Sequence, residues 1–352
     1  MAEKSQNTER IREAKDIRVI GVDLGGTRIR VVLADGNGTL LERKELLTQA
    51  SRGQAAVMDS LVQTIQTVMK SADFDQILGL AIGAPGPLNP KTGIIYAPPN
   101  LPGWEEVPLR AILEERLGLP VYVGNDANLA ALGEYTYGAA KDYQYLVYIT
   151  ISTGIGGGII ERGRLLDGAK GVAGEIGHMT IESFGPPCKC GNQGCWEALA
   201  SGTAIRRRAI EMVQAGRNSL LNELSKGNLE DITAELVEQA ARQGDPAALE
   251  LIDQTAIYLG IGITNILHLF NPEIVVLGGG VTQMGELLLK PLLAEVARRT
   301  IPAFRENVPI VLTKLGGDIG LYGAVALVLQ NQATAKKHKA KLLKKPLKAS
   351  TI

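Results

Sequence analysis

His178, Cys188, Cys190 and Cys195 fall within 18 residues, spaced H-x9-C-x-C-x4-C, and they include every cysteine of the chain. Three thiolates and one imidazole make a complete tetrahedral donor set for zinc. Cysteines scattered through a core would rarely land so close, and cytosolic clusters more often bind metal or act catalytically than form disulfides. Four protein ligands leave no open position, so the expected ion is structural. Gly191 and Gly194 let the chain turn between ligands.

Two glycine-rich turns come next. Asp23-Leu24-Gly25-Gly26-Thr27 follows a β-branched apolar run, and Ser152-Thr153-Gly154-Ile155-Gly156-Gly157 follows another 129 residues later. Backbone N–H groups can cradle phosphate where no side chain blocks approach. Neither turn is a Walker loop, because the chain has no Gly-Lys dipeptide. Neither is a dinucleotide fingerprint, which needs a helix after the glycines, whereas Arg28–Leu33 reads as a strand. Either turn alone could be a plain hairpin. The pair, with Asp23 at a strand end, is stronger, since an Asp there can hold Mg²⁺ through waters beside phosphates. Gly278-Gly279-Gly280 also follows a buried strand, where ligands bind in open α/β sheets; a strand-to-helix turn is the simpler alternative.

For acid–base chemistry the chain offers Asp126, in Gly124-Asn125-Asp126-Ala127-Asn128, between a strand and a helix. It could equally cap that helix. Asn100 lies in a turn before Trp104, Glu175 three residues before His178, and Glu197 two after Cys195. Amides and carboxylates of this kind suit a polyhydroxylated ligand, although each Glu alone would be an ordinary surface charge.

These residues need scaffolding, and the patterning supplies it twice. Strands are expected at 17–22, 28–33 and 39–47, a helix along Met58 to Met69, a strand at 77–82, a helix at 107–117, a strand at 121–123 and a helix from Asp126. A second strand–turn–strand–turn–strand opening runs from Leu146 to Leu166, with Asp23 aligned to Ser152 and Gly25 to Gly154. Helices around 203–216, 230–243 and 246–268, strands at 274–277 and 310–312 and a helix at 319–330 follow. The expectation is a duplicated α/β unit facing its copy across a cleft.

The 352 residues suffice for two domains. Hydrophobic residues are 45% and charged residues 21%, ordinary for globular chains. No run of 18 apolar residues exists, so no membrane span is expected, and the polar first 16 residues lack a signal core. A cytoplasmic location follows. The net charge of zero hides an asymmetry: residues 331–352 carry seven lysines and no acid, leaving −7 on the rest. An acidic body argues against nucleic acid as the main ligand. The tail is expected to be a disordered basic appendage.

Asp23–Thr27, Ser152–Gly158, Gly174-Glu175-Ile176-Gly177-His178 and Cys188–Cys195 together resemble the ROK family (repressor, open reading frame, kinase), from about Ile17 to Gln330. The resemblance implies a duplicated actin-like, ribonuclease H-like fold: a small domain over 17–127, a larger one over 128–330 with the zinc loop, and a last helix able to pack back on the first. It implies ATP and a sugar as ligands, Mg²⁺ and structural Zn²⁺ as cofactors, and a homodimer or higher homo-oligomer. By the same resemblance Asp23, Gly25, Gly26 and Thr27 form the first phosphate loop, Thr153, Gly154 and Gly156 the second, and Gly278, Gly279 and Gly280 the adenosine side. Asp126 matches the catalytic base; Asn100, Asn125, Glu175, His178 and Glu197 match sugar contacts. The expected activity is phosphorylation of a hexose at its 6-hydroxyl, glucose first, as a step of glycolysis. Alternatives are another sugar (N-acetylmannosamine, N-acetylglucosamine, mannose, fructose), polyphosphate as donor, or a sugar-responsive repressor. The 22 residues before Asp23 are too few for a helix-turn-helix domain there, which argues against the repressor.

Overall fold

The structure, a computed structural model, describes residues 16–98 and 100–343. The expected N-terminal extension and the last nine residues of the tail lie outside the described residues, except for Asp16. In chain order the first elements are β1 (Arg18–Leu24), β2 (Arg28–Asp35), β3 (Leu40–Leu47), α1 (Gln54–Met69), β4 (Ile77–Ala84), β5 (Leu88–Asn89), β6 (Ile94–Ile95), α2 (Leu109–Leu117), β7 (Val121–Asn125) and α3 (Asp126–Tyr137). Then come β8 (Leu146–Ile151), β9 (Ile155–Glu161), β10 (Arg164–Leu165), α4 (Trp196–Ala200), α5 (Gly202–Gln214), α6 (Leu221–Leu224), α7 (Ala234–Arg242) and α8 (Pro246–Phe270). The chain closes with β11 (Ile274–Gly278), α9 (Glu286–Arg299), α10 (Pro302–Arg305), β12 (Ile310–Leu312), α11 (Ile319–Gln330) and α12 (Gln332–Leu342).

Two compact units result, and their sheets have the same construction. One runs β3-β2-β1-β4-β7, the other β10-β9-β8-β11-β12. In each, the first strand pairs antiparallel with the hairpin strand after it and parallel with one later strand, which pairs parallel with the next. This is the duplication expected from the repeated opening.

Among the described residues, the first unit comprises 16–98, 100–141, 165–173 and 315–343. Its central strands are buried on both faces, which is why they read as unbroken apolar runs. Ile20, Val22, Ile29, Val31, Leu80 and Ile82 pack with Leu61 and Ile65 of α1 and Leu113 of α2. The opposite faces, through Val19, Val32 and Ala81, meet Leu129 of α3, Leu321 and Val325 of α11 and Ala335 of α12. Gly21 lets α11 approach, since a Cβ there would sit 3.0 Å from Leu321 O.

The expected boundary after residue 127 therefore moves to 141/142. Helix α3 stays with the first unit because it packs closely on α11: a Cβ at Gly133 would meet Ile319 O at 2.7 Å. Residues 165–173 also belong to this unit; Lys91 Nζ donates to Ala169 O at 3.3 Å. The second unit, 142–164 and 174–314, is built on the long α8, which packs against α4, α7 and α9. Asp245 caps α8 by accepting from Ala247 N at 2.9 Å, with Pro246 in its first turn. Helix α9 carries Pro291 inside it, an interruption that hides it from helical patterning.

The expected disordered tail is corrected for its first part: residues 332–342 form α12. Ala335 and Lys339, one turn apart, are both buried. Lys339 Nζ donates to Ile77 O at 2.7 Å, to Asp75 O at 3.3 Å and to Phe74 O, and lies 4.5 Å from the Phe74 ring centroid. Composition reads such a lysine as solvated; here it satisfies three carbonyls before and at the start of β4. Lys339→Met should thus cost about 1.5–3 kcal/mol, the range for charge-assisted hydrogen bonds. A thermal melt should show the drop, with kcat at moderate temperature unchanged, because the candidate site lies at the other ends of the strands.

Candidate active site and metal cluster

In the first unit the candidate residues gather at the C-terminal ends of the parallel strands β1, β4 and β7, the expected ligand end of an open sheet. Asp23, near the end of β1, is in register with Gly83 of β4, which is in register with Gly124 of β7, just before Asn125 and Asp126. Gly25 N donates to Arg28 O at 2.9 Å, closing a tight hairpin, and Thr48 Oγ1 donates to Gly25 O at 2.6 Å. Thr48 N holds Thr27 O at 2.9 Å. Gly26 is fixed by space: a Cβ would lie 2.7 Å from that of Asn100. The first glycine loop and the exposed Asn100 are therefore packed together.

Asp23 is largely buried, and its carboxylate is paired with Arg30 across the β1–β2 register. Burial pushes its carboxyl above the ordinary value, and the Arg30 guanidinium pulls it back. Sequence reading passed over Arg30, whose only signal is a charge within an apolar strand.

The Asn125–Asp126 step divides two duties. Asn125 Oδ1 accepts from Ala127 N at 3.0 Å and Asn128 N at 3.3 Å, so Asn125 is the N-cap of α3. Asp126, the first helical residue, is exposed, and its Oδ1 accepts from Ala127 N at 2.8 Å. The capping alternative for Asp126 thus loses its main support.

In the second unit the candidate residues form one connected block. Glu197, on α4, accepts from Ile155 N at 2.9 Å. A Cβ at Gly154 would overlap the Glu197 carboxylate, so this glycine is what lets that carboxylate approach. Gly156 lies in β9 opposite Thr150, and Thr153 O accepts from Thr203 Oγ1 at 2.7 Å. The turn carrying Glu175 and His178 lies on β9, where Gly177 leaves no room for a Cβ against Ile155 O. Gly278 ends β11 with the Tyr148 hydroxyl where a Cβ would be, and Gly279 has φ +93°. A Cβ at Gly280 would meet nothing within 4 Å, so open space adjoins this glycine.

His178, Cys188, Cys190 and Cys195 come together as their spacing foretells. Their donor atoms all lie within 4.8 Å of one another. Cys188 Sγ is 3.7 Å from His178 Nδ1, and Cys190 Sγ is 3.7 Å from Cys195 Sγ. A tetrahedral edge for Zn–S bonds of about 2.3 Å is about 3.8 Å, so this donor set fits zinc. The other imidazole nitrogen, Nε2, is 4.0 Å from Glu175 Oε2. Burial pushes the Cys195 thiol up to about 12, so metal binding there must release a proton. Cys195 leads directly into α4, and Trp196 anchors it by donating from Nε1 to Tyr258 O at 2.9 Å.

Residues 19–331 match the ROK family. The chain belongs to the ROK family. This ROK chain is 38% identical over 312 residues to a glucokinase of Thermotoga maritima, covering 89% of this chain and 97% of that one. It is 36% identical to a putative xylose repressor of a Caldicellulosiruptor species, covering 89% of this chain and 78% of that one. Among solved structures it resembles a ROK family glucokinase from Streptomyces griseus in complex with glucose and AMPPNP, with TM-score 0.77, 36% identity, and coverage of 89% and 99%. The actin-like fold of the ROK family is therefore the fold of this chain.

Proposed function

We propose that this ROK protein is an ATP-dependent glucokinase, transferring the γ-phosphoryl group of ATP to the 6-hydroxyl of glucose in the cytoplasm as a step of glycolysis. One observation carries the reading furthest: Asp126 presents an exposed carboxylate at the end of β7 while Asn125 does the capping. A regulator that only senses sugar needs no base there. The glucokinase relatives and the glucose-bound neighbour support the same reading.

A sugar hydroxyl is a poor nucleophile at neutral pH, so Asp126 accepts its proton as the phosphoryl group transfers. Asn100, Asn125, Glu175, His178 and Glu197 hold the ring hydroxyls, with His178 Nδ1 turned to the sulfurs and Nε2 left toward Glu175. The hairpin at Gly25–Thr27 and the loop at Thr153–Gly156 offer N–H groups to the triphosphate, and Gly278–Gly280 give the adenosine room. Asp23 would hold magnesium, which would supply positive charge beside the phosphates. Zinc, when bound by the Cys3His set, fixes the loop between the Glu175 turn and α4.

Gly154→Ala tests this arrangement away from the base. The new methyl must displace Glu197, the end of a flexible side chain, so the fold survives. A shift of about 1 Å in a positioning group can cost on the order of a hundredfold, so glucose kcat/KM should fall strongly while the melting temperature holds. The function itself is tested by steady-state assays over glucose, mannose, fructose, N-acetylglucosamine and N-acetylmannosamine, with ATP or polyphosphate as donor. Glucose with ATP should give the highest kcat/KM. Preference for another sugar or for polyphosphate would replace the substrate or donor, and absence of turnover with every pair would overturn the kinase reading.

A further inference from the structure

The Asp23 carboxylate is held from one side only. Arg30 Nη2 donates to Oδ2, and among the described residues Oδ1 accepts no hydrogen bond. The same guanidinium donates through Nη1 to Gly317 O and stands 3.9 Å from Asp318 Oδ1. Arg30 thereby ties the carboxylate of β1 to the turn at 316–318 that leads into α11. The helix then passes Asp23 at Gly320, whose Cβ would lie 3.8 Å from the carboxyl carbon. Three features thus converge on one carboxylate: burial, a charged partner opposite in register, and a helix that passes beside it at a glycine.

We propose that Arg30 is a positioning residue that aims the outer oxygen of Asp23 at the magnesium–nucleotide, an inference that rests on the glucokinase reading above. A two-pronged guanidinium can grip a carboxylate and a carbonyl at once, which a point-charge ammonium does less well. Without it, burial and the nearby Asp318 carboxylate act on Asp23 together, which favours the protonated form and a carboxyl free to turn. Arg43 supplies an internal control. Its Nη2 lies 3.2 Å from Asp318 and 3.1 Å from Glu45, so it braces the same turn without touching Asp23.

The test is calorimetric binding of AMPPNP, with and without Mg²⁺, to the full chain and its variants. Losing a group that orients a metal-holding ligand typically costs about 10–100-fold in metal affinity. Arg30→Gln should therefore weaken Mg·AMPPNP by about tenfold or more while magnesium-free AMPPNP binds as before. Arg30→Lys keeps the charge but loses the fork, so it should recover only part of the loss, and Arg43→Gln should bind like the parent. Equal weakening of both nucleotide forms, no weakening at all, or the same effect from Arg43→Gln would overturn the inference. If Arg30→Gln fails to fold, Arg30→Lys is compared with the parent by the same magnesium difference: a loss confined to Mg·AMPPNP is expected, and no loss, or one shared by the magnesium-free form, overturns the inference. Asp23→Asn separates the two readings: if it leaves Mg·AMPPNP binding intact, the assignment of Asp23 itself fails, whereas loss there with none in Arg30→Gln condemns only the role of Arg30.

Discussion

Asp126→Asn lowers kcat by at least about a hundredfold, since general-base contributions are typically about 10²–10⁴-fold, while KM for glucose moves little. The substitution keeps the shape of the side chain and an oxygen able to accept from Ala127 N, as Asp126 Oδ1 does at 2.8 Å. It removes the acceptor for the hydroxyl proton. Stability should change only slightly, because the cap of α3 belongs to Asn125. An acid in the first turn of a helix contributes about 0.3–1 kcal/mol through the helix dipole, which bounds the expected shift in melting. Steady-state kinetics with a parallel thermal melt checks both halves. A variant keeping more than about a tenth of the parent kcat, well above the range for loss of a base, would assign the proton to another acceptor.

The second large effect is expected from the metal cluster. Parent protein should contain about one zinc per chain, given four donors in one cluster. Cys195→Ser should lose it and, with it, about 10–100-fold in glucose affinity, the usual range when a supporting ligand is lost. The path is short: Cys195 precedes Trp196 and Glu197, and Glu197 holds Ile155 N within the second glycine loop. On the other side, His178 shares its turn with Glu175. Elemental analysis with a glucose titration followed by tryptophan fluorescence reads both quantities. A zinc-free variant with parental glucose affinity would separate the cluster from the sugar site.

Local chemistry was the legible part of this chain. The strands, the glycine turns and their repetition are written in β-branched runs broken by glycine, and the paired strand orders follow them. The donor spacing from His178 to Cys195 marked the cluster, because few folds bring all cysteines of a chain together without a reason. Partnerships between distant residues were not legible. Whether Asn125 or Asp126 caps α3 depends on backbone geometry, since the two residue types rank alike as caps. The unit boundary was misplaced because α11 returns from residue 319 to pack on β1 and α3. Lys339 looked solvated because its three carbonyl partners sit some 260 positions earlier. Arg30 gained its meaning only when register placed it opposite Asp23.

The most direct test of the central claim follows phosphorus itself. Glucose and Mg·ATP are incubated with the protein, and ³¹P nuclear magnetic resonance records the products. The account predicts ADP and glucose 6-phosphate in equal amounts, with the phosphate resonance coupled to the two protons on carbon 6. Phosphate on another carbon would contradict the assigned geometry of the sugar. ADP with free phosphate and no sugar phosphate, or glucose bound without any turnover of ATP, would contradict the claim that this chain is a glucokinase.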